Sequence, residues 1–313
     1  MTGIVVPPST NGLRPSGTTA TFLRARFACT DDEVLRAERK LPPNQVYPGI
    51  DPARAGDVCE SLQPRLSLSE PELRKMVLVR PQVLGCSFVD TIAPKLAALQ
   101  SRLSLSDAEL KKLVMKHSQM LGYSFEAKMK PLLAALQSRL SLSEPELKKF
   151  VLRLPQVLSL SLEANIEPAL AALELRLSLS GPQLKKLVLD HPAVLSYSFK
   201  ANIEPKLTFL QTAFGLAPDE LRERVLANPA LLFRSLEQRY CPRVVLASAL
   251  GLLVARETLN PAGMYTDEKF MAWMRRKGRV RVGLADADWE ALCAQPLLER
   301  ADSVHPVHAM LTC

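Results

Sequence analysis

The sequence predicts an all-α fold, an α-solenoid of about five to six 37-residue helix–turn–helix repeats. Three observations carry that prediction. Leucine recurs every 37 residues at Leu73, Leu110, Leu147, Leu184 and Leu221, and again at Leu84, Leu121, Leu158, Leu195 and Leu232. Proline holds the same register at Pro94, Pro131, Pro168, Pro205 and Pro242, and a second column reads Pro81, Ser118, Pro155, Pro192, Pro229. The copies follow one another without insertions, which demands a stacked array and not a fold around one compact core.

Four segments follow in chain order. Residues 1–30 have no acid, three arginines (Arg14, Arg24, Arg26) and eight Ser or Thr, the composition of an organelle transit peptide or a disordered tail. Residues 31–67 read as a degenerate N-terminal capping repeat, with Leu35 and Pro43 spaced as Leu73 and Pro81 are. Residues 68–250 form the regular array, and 251–313 a C-terminal cap and tail, where the pattern dissolves because a terminal repeat meets water.

Within one repeat, Ser69-Glu70-Pro71-Glu72 is a capping box, with Ser69 accepting from the third helical N–H and Glu72 reaching back. Ser106 with Glu109, Ser143 with Glu146 and Ser180 with Gln183 repeat it. Leu73, Met76 and Val77 then lie on one helical face. Pro81 ends that helix, and Pro81–Leu84 is long enough for one 3₁₀ turn only. A second helix starts near the serine column Ser87, Ser124, Ser161, Ser198, Ser235, with Phe88, Ile92, Leu96, Leu99 and Leu103 as its buried stripe. Pro94 must kink that helix unless the helix begins only there.

The net charge of +8 and pI near 9.2 favour an anionic partner. No apolar run reaches the roughly 20 residues a membrane-spanning helix needs, so no membrane role is expected. Cys29, Cys59, Cys86, Cys241, Cys293 and Cys313 lack C-x-x-C spacing, and His305-x-x-His308 lacks nearby cysteines, which argues against metal or any cofactor. No phosphate-cradling glycine loop and no G-x-S-x-G is present, so no enzyme is expected.

Several segments resemble the mitochondrial transcription termination factor (mTERF) family of helical-repeat proteins. They are Pro155-Gln156-Val157-Leu158 and Pro192-Ala193-Val194-Leu195, the stretch Ser161 to Pro168, and Leu-Ser-Leu-Ser before each new helix. Ser235 to Arg243 with the distal Thr266 to Phe270 is similar to the family's C-terminal pattern. The resemblance covers roughly residues 29–270 and implies an arc of helical repeats that binds nucleic acid in organelles. The roles it implies are transcription termination or initiation, transcript maturation or ribosome assembly, with no catalytic site. The segment after Met274 matches no part of that pattern.

A nucleic-acid binder needs a line of cations, and two adjacent columns supply one: Arg74, Lys111, Lys148, Lys185 and Arg222, beside Lys75, Lys112, Lys149 and Lys186, ending at Glu223. Lys75 lies about 160° from the buried face of its helix and must be exposed. With helices packed about 8–10 Å apart, five copies span roughly 40 Å, enough to track a phosphate backbone without reading bases. The competing reading is local: Glu109 precedes Lys112 by three and Glu70 precedes Arg74 by four, so the charges can neutralise one another on each helix. Arg102, Arg139 and Arg176 stand at the ends of second helices, where a cation suits the macrodipole. Arg243 follows a proline of the array, in a position shared with Lys95 and Lys206, and joins the candidate contacts with Arg275, Arg276 and Lys277 of the basic tract that runs to Arg281. Phe88, Tyr123, Phe125, Phe199 and Phe233 occupy or flank core columns, which weakens base stacking and favours duplex DNA over RNA. A monomer is expected, in a plastid rather than a mitochondrion because Ser and Thr outnumber Arg at the start. The alternative is a protein-docking scaffold with no direct nucleic-acid contact.

Overall fold

The computed structural model describes residues 18–42, 50–249 and 258–278. The fold is all-α and built of helical repeats, as the sequence predicts. The chain divides into two compact units, Met1–Leu160 and Ser161–Cys313.

The first unit opens with α1 (Thr18–Phe27), α2 (Asp31–Glu38) and α3 (Pro52–Arg65). Three helix pairs or half-pairs of the regular repeat follow: α4 (Glu70–Val79) with α5 (Ala93–Leu103), α6 (Asp107–Lys116) with α7 (Lys130–Arg139), and α8 (Glu144–Arg153). Every first helix begins as expected: Glu72, Glu109 and Glu146 each accept the N–H of the capping serine three residues back, and at Ser106 the hydroxyl also accepts the Glu109 N–H. Each ends where the chain turns extended before Pro81 or Pro155, at Arg80 (φ −134°) and Leu154 (φ −123°), because a proline bars helical geometry from the residue before it. His117 takes the same conformation (φ −146°) before Ser118, so the stacked neighbours impose the break even without proline.

The short turn is 3₁₀ in each copy, Pro81–Gly85, Ser118–Gly122 and Pro155–Ser159, and these turns touch one another along the unit. The question Pro94 raises is resolved by an element the sequence did not predict. A single π-helical turn, Phe88–Ile92, precedes α5, with the Ile92 N–H bonding Ser87 O five residues back at 3.2 Å. The wider turn moves the carbonyl that the proline ring would strike, and Pro94 then sits in the first turn of α5, where its missing donor costs little. Ser87 and Ser124 cap these turns, each hydroxyl accepting an N–H three residues on at 3.1 Å. Ile92, Leu96, Leu99 and Leu103 are buried as expected, whereas Phe88 is only half-buried.

The second unit repeats this plan. It comprises α9 (Glu167–Leu177), α10 (Gly181–Asp190), α11 (Glu204–Ala213), α12 (Pro218–Ala227), α13 (Cys241–Ala249), α14 (Leu259–Met264) and α15 (Asp267–Gly278). Ser161, Ser198 and Ser235 cap its π turns.

The residue two before each first-helix cap is left-handed: Ser67, Ser104, Ser141 and Ser178 have φ of 47–49°, and Gly215 has φ 58°. In Leu-Ser-Leu-Ser the two serines therefore do different jobs, the first reversing the chain and the second capping the next helix. Ala28 (φ 50°) precedes the Thr30/Glu33 capping box in the same way. Residues 26–33 therefore match 65–72 at a spacing of 39, and α1 is the second helix of a further half-repeat. Residues 18–27, whose composition reads as part of a transit peptide or disordered tail, are instead built into the fold. Ala20 and Leu23 of α1 are fully buried, Thr18 donates to Ile50 O at 3.0 Å, and Ile50 N–H donates to Thr19 at 2.8 Å.

Candidate nucleic-acid interface

The two expected cation columns part company. In the first unit the first-helix cations of the Lys111 column turn back towards the preceding repeat. Lys111 Nζ lies 2.8 Å from Glu72 and donates to Ser67 O at 2.8 Å, and Lys148 Nζ lies 2.7 Å from Glu109 and donates to Ser104 O at 2.9 Å. Arg74 does the same, 2.7 Å from Glu33 and 3.1 Å from Phe27 O. The carboxylate in each pair is the one that closes the preceding capping box. Hydrogen bonds from Lys111 and from the Ser69 N–H hold Glu72 down at about 2, and Lys148 and the Ser106 N–H lower Glu109 in the same way. Arg74, Lys111 and Lys148 are thus half-buried struts between repeats, not a row presented to phosphates. Lys185 is half-buried in the same register, and Arg222 pairs with Asp219 on its own helix at 2.8 Å.

Lys75, Lys112, Lys149 and Lys186 are exposed, as the helical geometry requires. Among the described residues none has a carboxylate within ion-pair distance. Neutralisation within each helix, the competing reading, does not occur at either quoted pair. Glu109 is taken by Lys148 and Glu70 by Arg26, so the acids are spent between repeats and the outer lysines stay uncompensated.

A third cation column is structural. Arg65 reaches Gln100 and Asp107, Arg102 reaches Gln137 and Glu144, and Arg176 reaches Gln211 and Glu204. Arg65 and Arg102 each tie one helix–helix corner to the next one along, and Arg176 ties the end of α9 to α11, a more specific role than the macrodipole provides. The Arg102–Glu144 member belongs to a small network, since Gln137 also donates to Glu144 at 2.9 Å and the two together depress that carboxyl.

The post-proline position is buried. Lys95 donates to Leu121 O and Lys206 to Leu232 O, carbonyls of the next 3₁₀ turn, and burial lowers both ammonium pKa values. Arg243, expected among the phosphate contacts, has 0 % of its surface exposed. It donates to Pro261 O and Ala262 O at 3.2 and 2.9 Å, pairs with Asp267 at 2.5 Å, and lies over the Phe270 ring. Its place is inside the C-terminal cap, which removes it from the candidate line. Arg275 and Arg276 are exposed on α15, whereas the Lys277 side chain and residues 279–281 lie outside the described residues.

Two features escaped the sequence. Lys116 and Arg153 are exposed one turn after Lys112 and Lys149, and all four line one open groove of about 510 Å³ with Lys148, Glu109, Pro145 and Leu152. The signal was present as a Lys/Arg at i+4 from the outer column, in two repeats only. Tyr197 is the other: it is 39 % exposed and packs 5.7 Å from Phe233, which stacks on His191 at 5.6 Å. The second unit therefore holds one aromatic surface that the core-column reading overlooked.

Among the described residues no group of His, Cys, Asp or Glu could hold a metal ion, and no helix is long and apolar enough to cross a membrane. The mTERF family model matches residues 51–168 and 132–271, overlapping stretches that together span more than half the chain. No curated protein matches it.

Proposed function

The chain belongs to the mTERF family, and from that membership we propose that it binds double-stranded DNA in an organelle through phosphate contacts, without strong sequence preference. Membership supports a nucleic-acid-binding role in gene expression in general, by proteins that are generally organellar and non-enzymatic. The finer reading is our own: the protein acts in transcription termination or initiation, or in transcript maturation, and it does so as a monomer. The single observation behind it is the uncompensated outer column Lys75, Lys112, Lys149 and Lys186. Ammonium groups that recur once per repeat suit a backbone of regularly spaced charge, and they carry no base-reading geometry.

Anisotropy titrations with random duplex DNA, single-stranded DNA and duplex RNA across a salt series test this reading. Duplex DNA should bind tightest. Neutralising about four phosphates, one per outer lysine, gives a slope of log K against log salt of about −3 to −4. Affinity indifferent to salt removes the electrostatic mechanism. Preference for single strands would instead favour stacking on Tyr197 and Phe233.

A further inference from the structure

Lys95 and Lys206 occupy the same register three repeats apart, and each lines a pocket against the next 3₁₀ turn of its own unit. The register positions between them hold Leu132 and Ala169, and the next one holds Arg243, which the C-terminal cap encloses. The two pockets differ in what surrounds the ammonium. Around Lys206 stand Tyr197, Phe233 and Glu237, in an open cavity of about 360 Å³, within the range of about 300–1,000 Å³ usual for small-molecule sites. In the first unit the positions of Tyr197 and Phe233 hold Cys86 and Gly122, and the counterpart of Glu237 is Glu126, which pairs with Lys130 at 2.7 Å. Cys241 stands at the Lys130 position in the second unit, so Glu237 lacks that neighbour and has no ion pair among the described residues.

The groups around Lys206 are held in place. Phe233 stacks on His191 at 5.6 Å and packs 5.7 Å from Tyr197, whose ring is well exposed. Lys206 is buried and donates to Leu232 O at 3.0 Å and to Asn202 Oδ1 at 2.6 Å. Its ammonium lies over the Tyr197 ring, 5.7 Å from the centroid. An ammonium has three hydrogens, so among the described residues one is left for a ligand.

We propose that this cavity takes one unpaired guanine of a bound strand, with Tyr197 as the stacking plate, Lys206 as donor to the base carbonyl and Glu237 as acceptor of the ring and amino N–H groups. The inference rests on the nucleic-acid reading above and deepens it: the outer lysines hold the backbone, and this seat adds one base. An exposed aromatic ring stacks with any base, so selection comes from the edge of the base. Guanine offers a carbonyl beside two N–H groups on its Watson–Crick edge, the complement of an ammonium beside a carboxylate. Adenine and cytosine offer the acid an amino group alone, and thymine or uracil one ring N–H. In a duplex that edge faces the partner base, so the seat reads only an unpaired nucleotide. An uncompensated carboxylate works against phosphate binding, and Glu237 therefore suits a base and not the backbone.

The test uses the full chain and one DNA duplex with a single-nucleotide bulge carrying G, A, C, T or an abasic site, all of equal charge, in anisotropy titrations. Tyr197→Ala and Glu237→Gln are measured beside the wild type, with helix content and Tm recorded; both side chains are exposed. Wild type should bind the G bulge about 10-fold tighter than the abasic one, and the other bases less than about 3-fold tighter. Glu237→Gln should bring G down to the level of the other bases, and Tyr197→Ala should remove the advantage of every base over the abasic bulge. Equal affinity for the G and abasic bulges overturns the seat. A preference for another base, or equal gains from all four, overturns the choice of guanine, and a G advantage that survives in folded Tyr197→Ala overturns the plate. Free GMP separates the sources of the base: GMP that binds wild type and not Tyr197→Ala, without any gain from the bulge, overturns the strand as the source. Wild-type protein that binds none of these duplexes at low salt overturns the nucleic-acid reading itself, a failure visible before any variant is made.

Discussion

The Lys111 ammonium lies 2.8 Å from Glu72 Oε2, the same oxygen that accepts the Ser69 N–H at 2.8 Å to close the capping box. One carboxylate thus starts a helix in its own repeat and receives the cation of the next. Lys148 and Glu109 with Ser106 repeat the arrangement, as do Arg74 and Glu33 with Thr30. Local helix initiation and stacking of repeats are consequently coupled through single side chains.

That coupling predicts an acid limit. Glu72 sits at about 2 in the folded chain, and Glu33 and Glu109 are lowered too, against about 4.3 for an unfolded glutamate. A depressed carboxyl stabilises the fold fully above the unfolded value and loses that contribution as pH falls through the folded one. Tm should therefore fall steeply between about pH 5 and pH 2. In E72Q/E109Q, Tm at pH 7 should be lower and its acid dependence over that window shallower. An acid dependence identical to wild type would show that these pairs do not couple to folding.

The left-handed serines predict a gain. An L-residue in that region costs about 1–2 kcal/mol, and Gly215 shows what the position accepts without strain. Ser104→Gly and Ser141→Gly should each stabilise by about 0.5–1 kcal/mol in denaturant unfolding, after the extra backbone entropy of glycine is subtracted. The strut to Ser104 uses only its carbonyl and survives the change. A destabilised Ser104→Gly would mean that the hydroxyl itself is needed.

What could be read in the sequence were the devices closed by neighbouring residues. Ser69 and Glu72 lie three positions apart, as do Ser106 and Glu109, so their hydrogen bonds follow from spacing alone. Partnership across the stack could not be read in the same way. Glu109 stands three residues from Lys112 and 39 from Lys148, and only the packing of repeats selects the distant partner. The π turn was hidden because a proline within an apolar stripe signals a disturbance without specifying its form. At the N-terminus, α1 was lost because its register is shifted by two residues and its Thr- and Arg-rich composition imitates a targeting segment.

Splitting the two columns gives the next expectation. K112E/K149E should abolish duplex binding while leaving helix content and Tm nearly unchanged, since exposed charges contribute about 0–1 kcal/mol each. K111E/K148E places two acids against Glu72 and Glu109 and should lower Tm sharply. Thermal unfolding followed by circular dichroism, beside the binding titration, separates the two. A normal Tm for K111E/K148E would return that column to the binding line.

Arg243 should behave as part of the core. Arg243→Met leaves the Pro261 and Ala262 carbonyls without their donor and Asp267 without its partner. A lost buried donor costs about 1–3 kcal/mol, more when it was charged, so a destabilisation of about 2–4 kcal/mol is expected in the second unit. Gly263→Ala should disturb the same corner, because a Cβ there would stand 2.9 Å from Leu231 and 3.0 Å from the Tyr240 hydroxyl. Binding measured below the melting transition should be unaltered in both. Weakened duplex affinity in a fully folded Arg243→Met protein would reinstate Arg243 as a contact.

The address of the protein can be bounded from its first helix. Leu23 has 0 % exposure and Phe27 6 %, and burying side chains of this size contributes about 1.5–3 kcal/mol each. Arg26 pairs with Glu70, and the Phe27 carbonyl receives Arg74. Cleavage near residue 28 would remove all of this from the first unit, so a targeting segment must end before Thr18. Deleting residues 1–28 should lower Tm by several degrees or prevent folding. Residues 1–40 fused to a fluorescent reporter should direct it to an organelle, with plastids expected from the hydroxyl-rich start. Mass spectrometry of the imported full chain should find a mature end at or before Gly17. A mature end beyond Phe27 in a stably folded protein would sink the structural role of α1, and a reporter left diffuse in the cytosol would sink the targeting claim. A mitochondrial reporter would keep the targeting claim and reverse the choice of organelle.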